Sequence, residues 1–390
     1  MTDLSTSDLA DLRASLRMVL DRKSSEEAVR AVMAGETGVD CDLWRSLTSD
    51  FELASLAVPE SCGGAGVGWA VSRVLLEDLG GSLACVPALS VIGLALPALE
   101  ASGDMSAVKD LMPGILAGTT IATAALLGTD PVSACRVRAV PTGDSWELTG
   151  EVPYVLDGQV VDLVLLLARH DAGLALFAVD RRSSGATLAP RPTSDLTRRA
   201  ASLSLTGTTA RLVGGPDSGA DIVAAARPAA LLALGCEQTG GAAAALADAV
   251  AYAGQRVQFG RAIGSFQAVK HRLADVLVAV EECRSATWAT AAALDSGAPD
   301  AELMSYAAAA VCGAAYVKAA SDNVQVHGGI GYTWEHSAHL HVKRSRGSAA
   351  LLGTPAEHRR KIAGLLPHLT DDHTPLSDGP TSRSTQGAPR

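Results

Sequence analysis

The sequence predicts an α+β chain in which a helical domain, a compact β domain and a second helical domain follow one another. Three observations carry that prediction. Apolar residues recur at three- and four-residue steps from Ser5 to about Ala117, and again from Ile222 to Leu366. Between about Gly118 and Gly215 they gather in short β-type runs separated by turn residues. Aromatic residues make up only 4% of the chain, while Ala, Leu, Val and Gly dominate, which favours closely packed helices over an aromatic-rich sandwich.

The first region, residues 5–117, reads as an N-terminal helical domain. The run Val71-Ser72-Arg73-Val74-Leu75-Leu76-Glu77-Asp78-Leu79 steps like a helix that Gly80-Gly81 should end. The longest apolar stretch, Ala84 to Leu99, contains Pro87, Gly93 and Pro97 and falls short of the roughly 20 residues that span a bilayer. It is expected to be a buried helix pair. In residues 118–215, strands are expected over Thr120–Leu127, Cys135–Val140, Trp146–Thr149, Val160–Ala168, Leu174–Val179 and Ser202–Val213. Residues 222–366 return to long helices, with Ala230–Arg256 interrupted only by Gly235 and Gly240-Gly241; four helices here would make a bundle. The polar tail 367–390, rich in Pro, Ser and Thr, reads as disordered. Helical layers on either side of a β domain leave clefts where domains meet, and cofactors bind in clefts.

Composition narrows the function. A formal charge of −10, with no concentrated basic face, argues against nucleic acid. The seven cysteines are odd in number, scattered and never spaced CxxC, so they read as reduced core thiols. The N-terminus MTDLSTSDLADLRASL carries acidic residues where a secretory signal needs basic ones and has no apolar h-region, so a cytoplasmic protein is expected. His336, His339 and His341 raise the question of a metal. Apart from 336 and 339 they point to different sides of a helix, with no acidic or thiolate ligand grouped beside them, so no metal is expected.

The most specific segment runs from Tyr252 to Asp275, YAGQRVQFGRAIGSFQAVKHRLAD. Arg256 should end one helix, Gly260 and Gly264 should form the loop, and Gln267 should sit in the first turn of the next helix. Such a corner offers a guanidinium for a pyrophosphate, a ring for an adenine and free helix-end N–H groups for phosphate oxygens. An Arg-Phe-Gly connection that serves only packing remains open on these grounds.

This run resembles the RxQFGxxIxxxQxxxHxxAD signature of the acyl-CoA dehydrogenase family. A second block, Gln325-Val326-His327-Gly328-Gly329-Ile330-Gly331, resembles that family's QxxGGxG turn. Leu56-Ala57-Val58-Pro59-Glu60, Leu76-Glu77-Asp78-Leu79-Gly80 and Thr193-Ser194-Asp195-Leu196-Thr197-Arg198-Arg199 add to the likeness, which spans residues 5 to 366. The resemblance implies an N-terminal helical domain, a middle β barrel and a C-terminal four-helix bundle, with FAD held across a subunit interface. By the same likeness Arg256, Phe259, Gln267, Gln325, Gly328 and Gly329 contact FAD bound mainly to a neighbouring subunit, and Thr354 faces the flavin of its own.

The family reaction takes a proton from Cα of an acyl-CoA thioester while Cβ gives a hydride to the flavin, so a carboxylate must stand opposite the ring. The turn that carries it in most members corresponds to Leu351-Leu352-Gly353-Thr354, with leucine at the place of the glutamate. In a smaller group the base stands on the helix before the arginine, 26 residues upstream of it, and that position is Ala230. The loop that usually reads Thr-Glu-Pro-x-x-Gly-Ser-Asp is here Thr123 to Asp130, TAALLGTD, and Leu231 replaces a CoA-facing arginine for which Arg227 is a substitute one turn away. Glu237 lies about two turns, roughly 10 Å, beyond Ala230, and Glu335 is expected to pair with Lys343 or Arg344 or to cap the next helix. The catalytic base is therefore unknown.

Four readings follow: a base-free subunit working with a partner dehydrogenase subunit, a homomeric enzyme with another base, a noncatalytic acyl-CoA or protein-binding scaffold, and a different flavin oxidation on the same fold. The expected partners are an acyl-CoA substrate, an electron-transfer flavoprotein or similar acceptor, and another dehydrogenase subunit in a homo- or hetero-oligomer.

Overall fold

A computed structural model describes residues 6–143 and 145–370. The N-terminal helices are α1 (Thr6–Lys23), α2 (Glu26–Ala34), α3 (Cys41–Asp50), α4 (Trp69–Gly81), α5 (Leu96–Ala101) and α6 (Met105–Leu116). Side-chain caps fix three of their starts: Ser25 accepts from the Ala28 N–H, Asp40 from Leu43, and Asp104 from Ser106 and Ala107. Trp44, Leu47, Leu75, Leu76, Leu96 and Leu99 form their shared core. The apolar stretch expected to be a helix pair is one continuous run: a wide π-type turn over Leu89–Ala95 passes directly into α5, with Pro97 in the first turn, where its missing N–H is harmless.

Seven strands follow: β1 (Ala122–Ala124), β2 (Arg138–Thr142), β3 (Ser145–Leu156), β4 (Leu163–His170), β5 (Gly173–Asp180), β6 (Ala186–Pro190) and β7 (Ala200–Val213), with the short α7 (Pro131–Ala134) between the first two. Strands β4, β2, β3, β7 and β5 pair in that order, and β5 pairs back onto β4, so the sheet closes into a barrel. Closure leaves the near-continuous apolar β4, Leu163 to Ala168, buried throughout. Strand β6 is not among the expected strands.

The C-terminal region is built from α8 (Gly219–Gln255), the hairpin β8 (Val257–Gln258) and β9 (Arg261–Ala262), α9 (Gln267–Ser296), α10 (Ala301–His327), α11 (Ala338–Ser348) and α12 (Pro355–Thr370). Helices α8, α9, α10 and α12 pack as the bundle. Two runs, Gly219–Gln255 and Ala301–Tyr332, are long and apolar enough to cross a bilayer, but 72% and 61% of their most apolar windows are buried within the protein, as core helices should be. Four residues of the expected tail are helical, because α12 continues to Thr370; residues 371–390 lie outside the described part.

Glycines of α4 and α8 let the two helices touch. Helix α4 ends at Gly81, where the glycine pair was expected to end it, whereas α8 runs unbroken through Gly235, Gly240 and Gly241. A Cβ on Gly240 would stand 1.7 Å from the Glu77 carbonyl oxygen, and one on Gly80 would stand 2.1 Å from that of Glu237, so α4 and α8 cross backbone to backbone. Buried ion pairs dock the barrel on the bundle: Arg198 pairs with Glu237, and Arg344 pairs with Asp195 at 2.9 Å while donating to the Thr197 carbonyl and hydroxyl. Where the barrel meets the N-terminal helices, Asp157 accepts a 2.6 Å hydrogen bond from Ser90, and burial pushes its carboxyl up to about 6.

Candidate functional site

Two places draw on residues singled out in the sequence: a solvent-facing corner at one end of the bundle and a cleft between barrel and bundle. The corner begins where Arg256 leaves α8 with extended backbone, φ −71° and ψ 119°. The chain then turns through Phe259 and Gly260 at φ 54° and 79°, and two successive positive φ values are what a two-residue hairpin turn requires. Phe259 pays for this with a left-handed backbone, since it has a Cβ to crowd, and its ring is 92% exposed. Phe266 braces it edge-on at 6.1 Å between centroids, and the Arg261 guanidinium lies 4.0 Å over the Phe266 ring. Gln267 opens α9 with its side chain exposed.

Helices α8 and α10 run parallel, because α9 returns the chain between them, and a constant offset ties them. Asn323 Nδ2 donates to Asp248 at 2.9 Å, 75 residues apart, and the Tyr252 and His327 rings, at the same offset, stack 4.2 Å apart. Helix α8 ends at Gln255 and α10 at His327, so Arg256 and Gly328 leave the same end of the bundle about one helical turn apart along the axis. Gly328 has φ 65° and ψ −139°, and a Cβ at Gly328 or Gly329 would meet nothing within 4 Å. Gln325 is exposed in the last turn of α10. The structure thus gathers Arg256, Phe259 and Gln267 at the same bundle end as Gln325, Gly328 and Gly329.

Thr354 lies elsewhere. Its N–H and hydroxyl both donate to Glu357 Oε2 at 2.8 Å, and these bonds hold the Glu357 carboxyl down at about 2. The turn that carries it is stitched to the barrel: the Gly128 N–H donates to the Leu351 carbonyl at 2.7 Å. Arg227, which is buried, donates through one terminal nitrogen to both the Gly128 carbonyl at 2.9 Å and the Leu352 carbonyl at 2.6 Å. Beside it His358 is buried, and burial together with the nearby Arg227 charge pushes its pKa down.

These bonds close the cleft. What remains is a cavity of about 10 Å³, room for about one water, lined by Gly93, Leu94, Leu126, Arg227, Ala230 and Leu352 among others. Both positions where the family places its base, Leu352 and Ala230, therefore face this lining, and no carboxylate joins them. Glu237 is taken by Arg198. The expected pairing of Glu335 is corrected: Lys343 lies 3.9 Å over the Trp334 ring and Arg344 pairs with Asp195, while Glu335 is exposed. Sequence reasoning treated Arg227 only as a substitute ligand for CoA; its bracing role depends on carbonyls 99 and 125 residues away.

The chemistry of the corner fits a dinucleotide, with an exposed guanidinium, a bare aromatic face and a glycine turn open to close backbone approach.

Residues 218–366 match the acyl-CoA dehydrogenase C-terminal domain. The chain is 36% identical over 351 residues to acyl-CoA dehydrogenase IpdE2 of Mycolicibacterium smegmatis, covering 90% of this chain and 96% of that protein. Among solved structures it is similar to the ChsE4–ChsE5 complex from Mycobacterium tuberculosis, with TM-score 0.83 and 30% identity. It is similar to the same degree to a Tcur3481–Tcur3483 steroid ACAD variant, with TM-score 0.83 and 29% identity; each comparison covers 94% of this chain and 99% of the matched one. The chain belongs to the acyl-CoA dehydrogenase family, the FAD-dependent oxidoreductases that act on CH–CH bonds.

Proposed function

We propose that this chain is the base-free subunit of an acyl-CoA dehydrogenase built from two kinds of subunit. Its corner completes an FAD site whose larger part, with the carboxylate, belongs to the partner. The observation that carries this reading is the closed cleft: about 10 Å³, apolar but for Arg227, and without a carboxylate at Leu352 or Ala230. A leucine and an alanine hold no proton.

FAD, when bound, accepts the hydride from Cβ of the acyl group. The residues of this chain bind and orient it. Arg256 would hold the pyrophosphate with its guanidinium, Phe259 would offer its exposed face to the adenine, and Gln267 and Gln325 would hydrogen-bond the nucleotide. Gly328 and Gly329 let the backbone approach it without a Cβ in the way. Thr354, expected to face a flavin in its own subunit, already gives its hydroxyl to Glu357, so we assign the grip to the corner alone. Two of the similar structures are complexes of two named chains, one of them described as a steroid ACAD, which supports a two-subunit assembly and a bulky acyl-CoA substrate. Electrons would leave the flavin to an electron-transfer flavoprotein or a similar acceptor.

The closed cleft alone also fits a noncatalytic scaffold. The corner favours the enzyme subunit, because a bare phenyl ring on a left-handed backbone does nothing for folding. The test is to recover the tagged chain from its own host, identify what accompanies it, and measure flavin absorbance and acyl-CoA oxidation with and without that partner. We expect flavin and turnover only in the two-subunit complex. Turnover by the chain alone defeats the reading, and a complex that takes up no FAD favours the scaffold.

A further inference from the structure

Beyond the corner itself, the molecule holds a cluster whose members are far apart in sequence. Asp248 of α8, His327 at the end of α10 and His336 beyond the glycine turn bring one ligand-type atom each to within 4.8 Å of one another. Two histidines and a carboxylate at that spacing suggest a divalent cation, but the hydrogen bonds argue otherwise. The Ala338 N–H donates to His336 Nδ1 at 3.1 Å, so that nitrogen's lone pair is used and Nε2 of the neutral ring must carry the proton. Neither nitrogen of His336 has a lone pair left for a metal. His327 is fixed in the opposite sense: its Nδ1 donates to the Asn323 carbonyl at 2.9 Å, leaving Nε2 as the acceptor, 3.8 Å from Asp248 Oδ1.

The buried His327 ring is also the middle of a stack. Tyr252 lies 4.2 Å from it on one side and His336 4.2 Å on the other, tilted by 33° and 48°. Tyr252 stands four residues before Arg256, on the last turn of α8. His327 stands immediately before Gly328, and His336 follows the turn Gly328–Tyr332. The three rings therefore join the root of the Arg256 hairpin to both ends of the glycine turn. Below them, Asn323 Nδ2 holds Asp248 and the Asn323 carbonyl holds His327, so the stack has a polar floor that sets its height.

We propose that His327 is a positioning residue for the nucleotide: clamped between Tyr252 and His336, it holds the Gly328–Gly329 backbone and the Arg256–Phe259 hairpin at the spacing that one dinucleotide spans. The proposal rests on the reading of the corner as an FAD grip and deepens it. His327 touches no cofactor in this account; it acts through the turn it precedes. Without it the glycine turn, which opens at Gly328 with a φ of 65°, loses its fixed distance from Arg256.

The test uses the flavin-loaded oligomer recovered with the full tagged chain, and measures FAD affinity after reversible flavin removal. His327→Ala removes two aromatic contacts and is expected to weaken FAD binding about tenfold. His327→Phe keeps the stack and loses the polar edge, and is expected to stay within about threefold of the parent. Hydrogen exchange of residues 328–332 should rise in His327→Ala and hold in His327→Phe, which a general loss of folding would not produce. A double-mutant cycle with Arg256→Ala decides the mechanism: if His327 acts through the grip, its replacement costs little once Arg256 is gone. Additive losses overturn the positioning role and leave the grip standing. No loss of affinity in Arg256→Ala alone overturns the grip, and the proposal with it. Stoichiometric zinc in the parent protein that disappears in His327→Ala overturns the proposal in favour of a cation site.

Discussion

Replacing Arg227 by alanine should open the cleft, and the structure sets the size of the effect. The guanidinium donates to the buried Leu352 carbonyl at 2.6 Å and to the partly buried Gly128 carbonyl at 2.9 Å, on turns from the segment before α12 and from the barrel. Leaving a buried acceptor unsatisfied costs about 1–3 kcal/mol each, and more when the lost donor is charged. Against that stands relief, because the hydrogen bonds of this guanidinium go to neutral carbonyls and its burial is itself costly. Water entering the space vacated by the side chain recovers part of the carbonyl loss. A net local destabilisation of about 2–3 kcal/mol follows, which is about 30- to 150-fold in the opening equilibrium. The reporters are the Gly128 N–H, bonded to Leu351, and the Gly353 N–H, bonded to Ala350, followed by hydrogen exchange in the full chain. Arg227→Lys should fall between, since its ammonium carries donors enough for both carbonyls but ends one bond short of the terminal nitrogen that reaches them. Unchanged exchange at Gly128 and Gly353 in Arg227→Ala would mean that apolar packing alone shuts the cleft.

Placing the family's carboxylate by Leu352→Glu should give the isolated chain no acyl-CoA oxidation, because the new group meets Arg227 in a dry space of about 10 Å³; turnover above the parent's background would contradict the closed cleft. Phe259→Gly should hold or raise the melting temperature, by about 1 kcal/mol of relieved left-handed strain, while weakening FAD binding in the complex; a fall in melting temperature would show that the ring serves packing. Gly240→Ala should destabilise by several kcal/mol, on the order of 3 or more, because the added methyl meets the Glu77 carbonyl oxygen at 1.7 Å, and thermal unfolding reads this directly. For Asp157 the folded pKa of about 6 stands above the usual 3.8, so the ionised form penalises the fold: stability from this group is gained as pH falls through 6 toward 4 and lost above 6. Asp157→Asn, which also suits the φ of 52°, should therefore be more stable than the parent at pH 8 by about 3 kcal/mol, with the gap shrinking below pH 5; an equal gap at pH 8 and pH 4.5 in urea melts would exclude this linkage.

The order of helix, barrel and helix was legible because periodicity is local. The strands from Cys135 to Val213 fell near their places for the same reason. Strand β6 escaped because ATLAP is half exposed, holds a single β-branched residue and ends in proline. The glycines of α8 read as interruptions because glycine signals a break and a close helix crossing with the same letter, and only the partner helix distinguishes them. The corner was legible as a string, since Arg256 to Gln267 is one continuous hairpin and helix start. Arg227, Arg198 with Glu237, and the Asp248–His327–His336 cluster were not, because each is made by chain segments that meet only after folding. Grouping His336 with His339 and His341 by nearness in sequence missed its partner His327, which sits on the far side of the glycine turn.

Cost separates the two halves of the site. In the cleft, the residues at the base positions are a buried leucine and a buried alanine, and those choices favour folding by filling space with apolar atoms. At the corner the opposite holds: Phe259 exposes 92% of its surface on a strained backbone, and Gly328 and Gly329 face open space. Folding energy accounts for the first set and leaves the second unexplained, because nothing within this chain is gained by a bare ring or an empty glycine turn. A ligand or neighbour that covers the corner supplies the missing term, whereas nothing need enter the cleft. On the proposed reading, the functional surface of the chain is this end of its bundle, and the chemistry it serves belongs to the partner subunit.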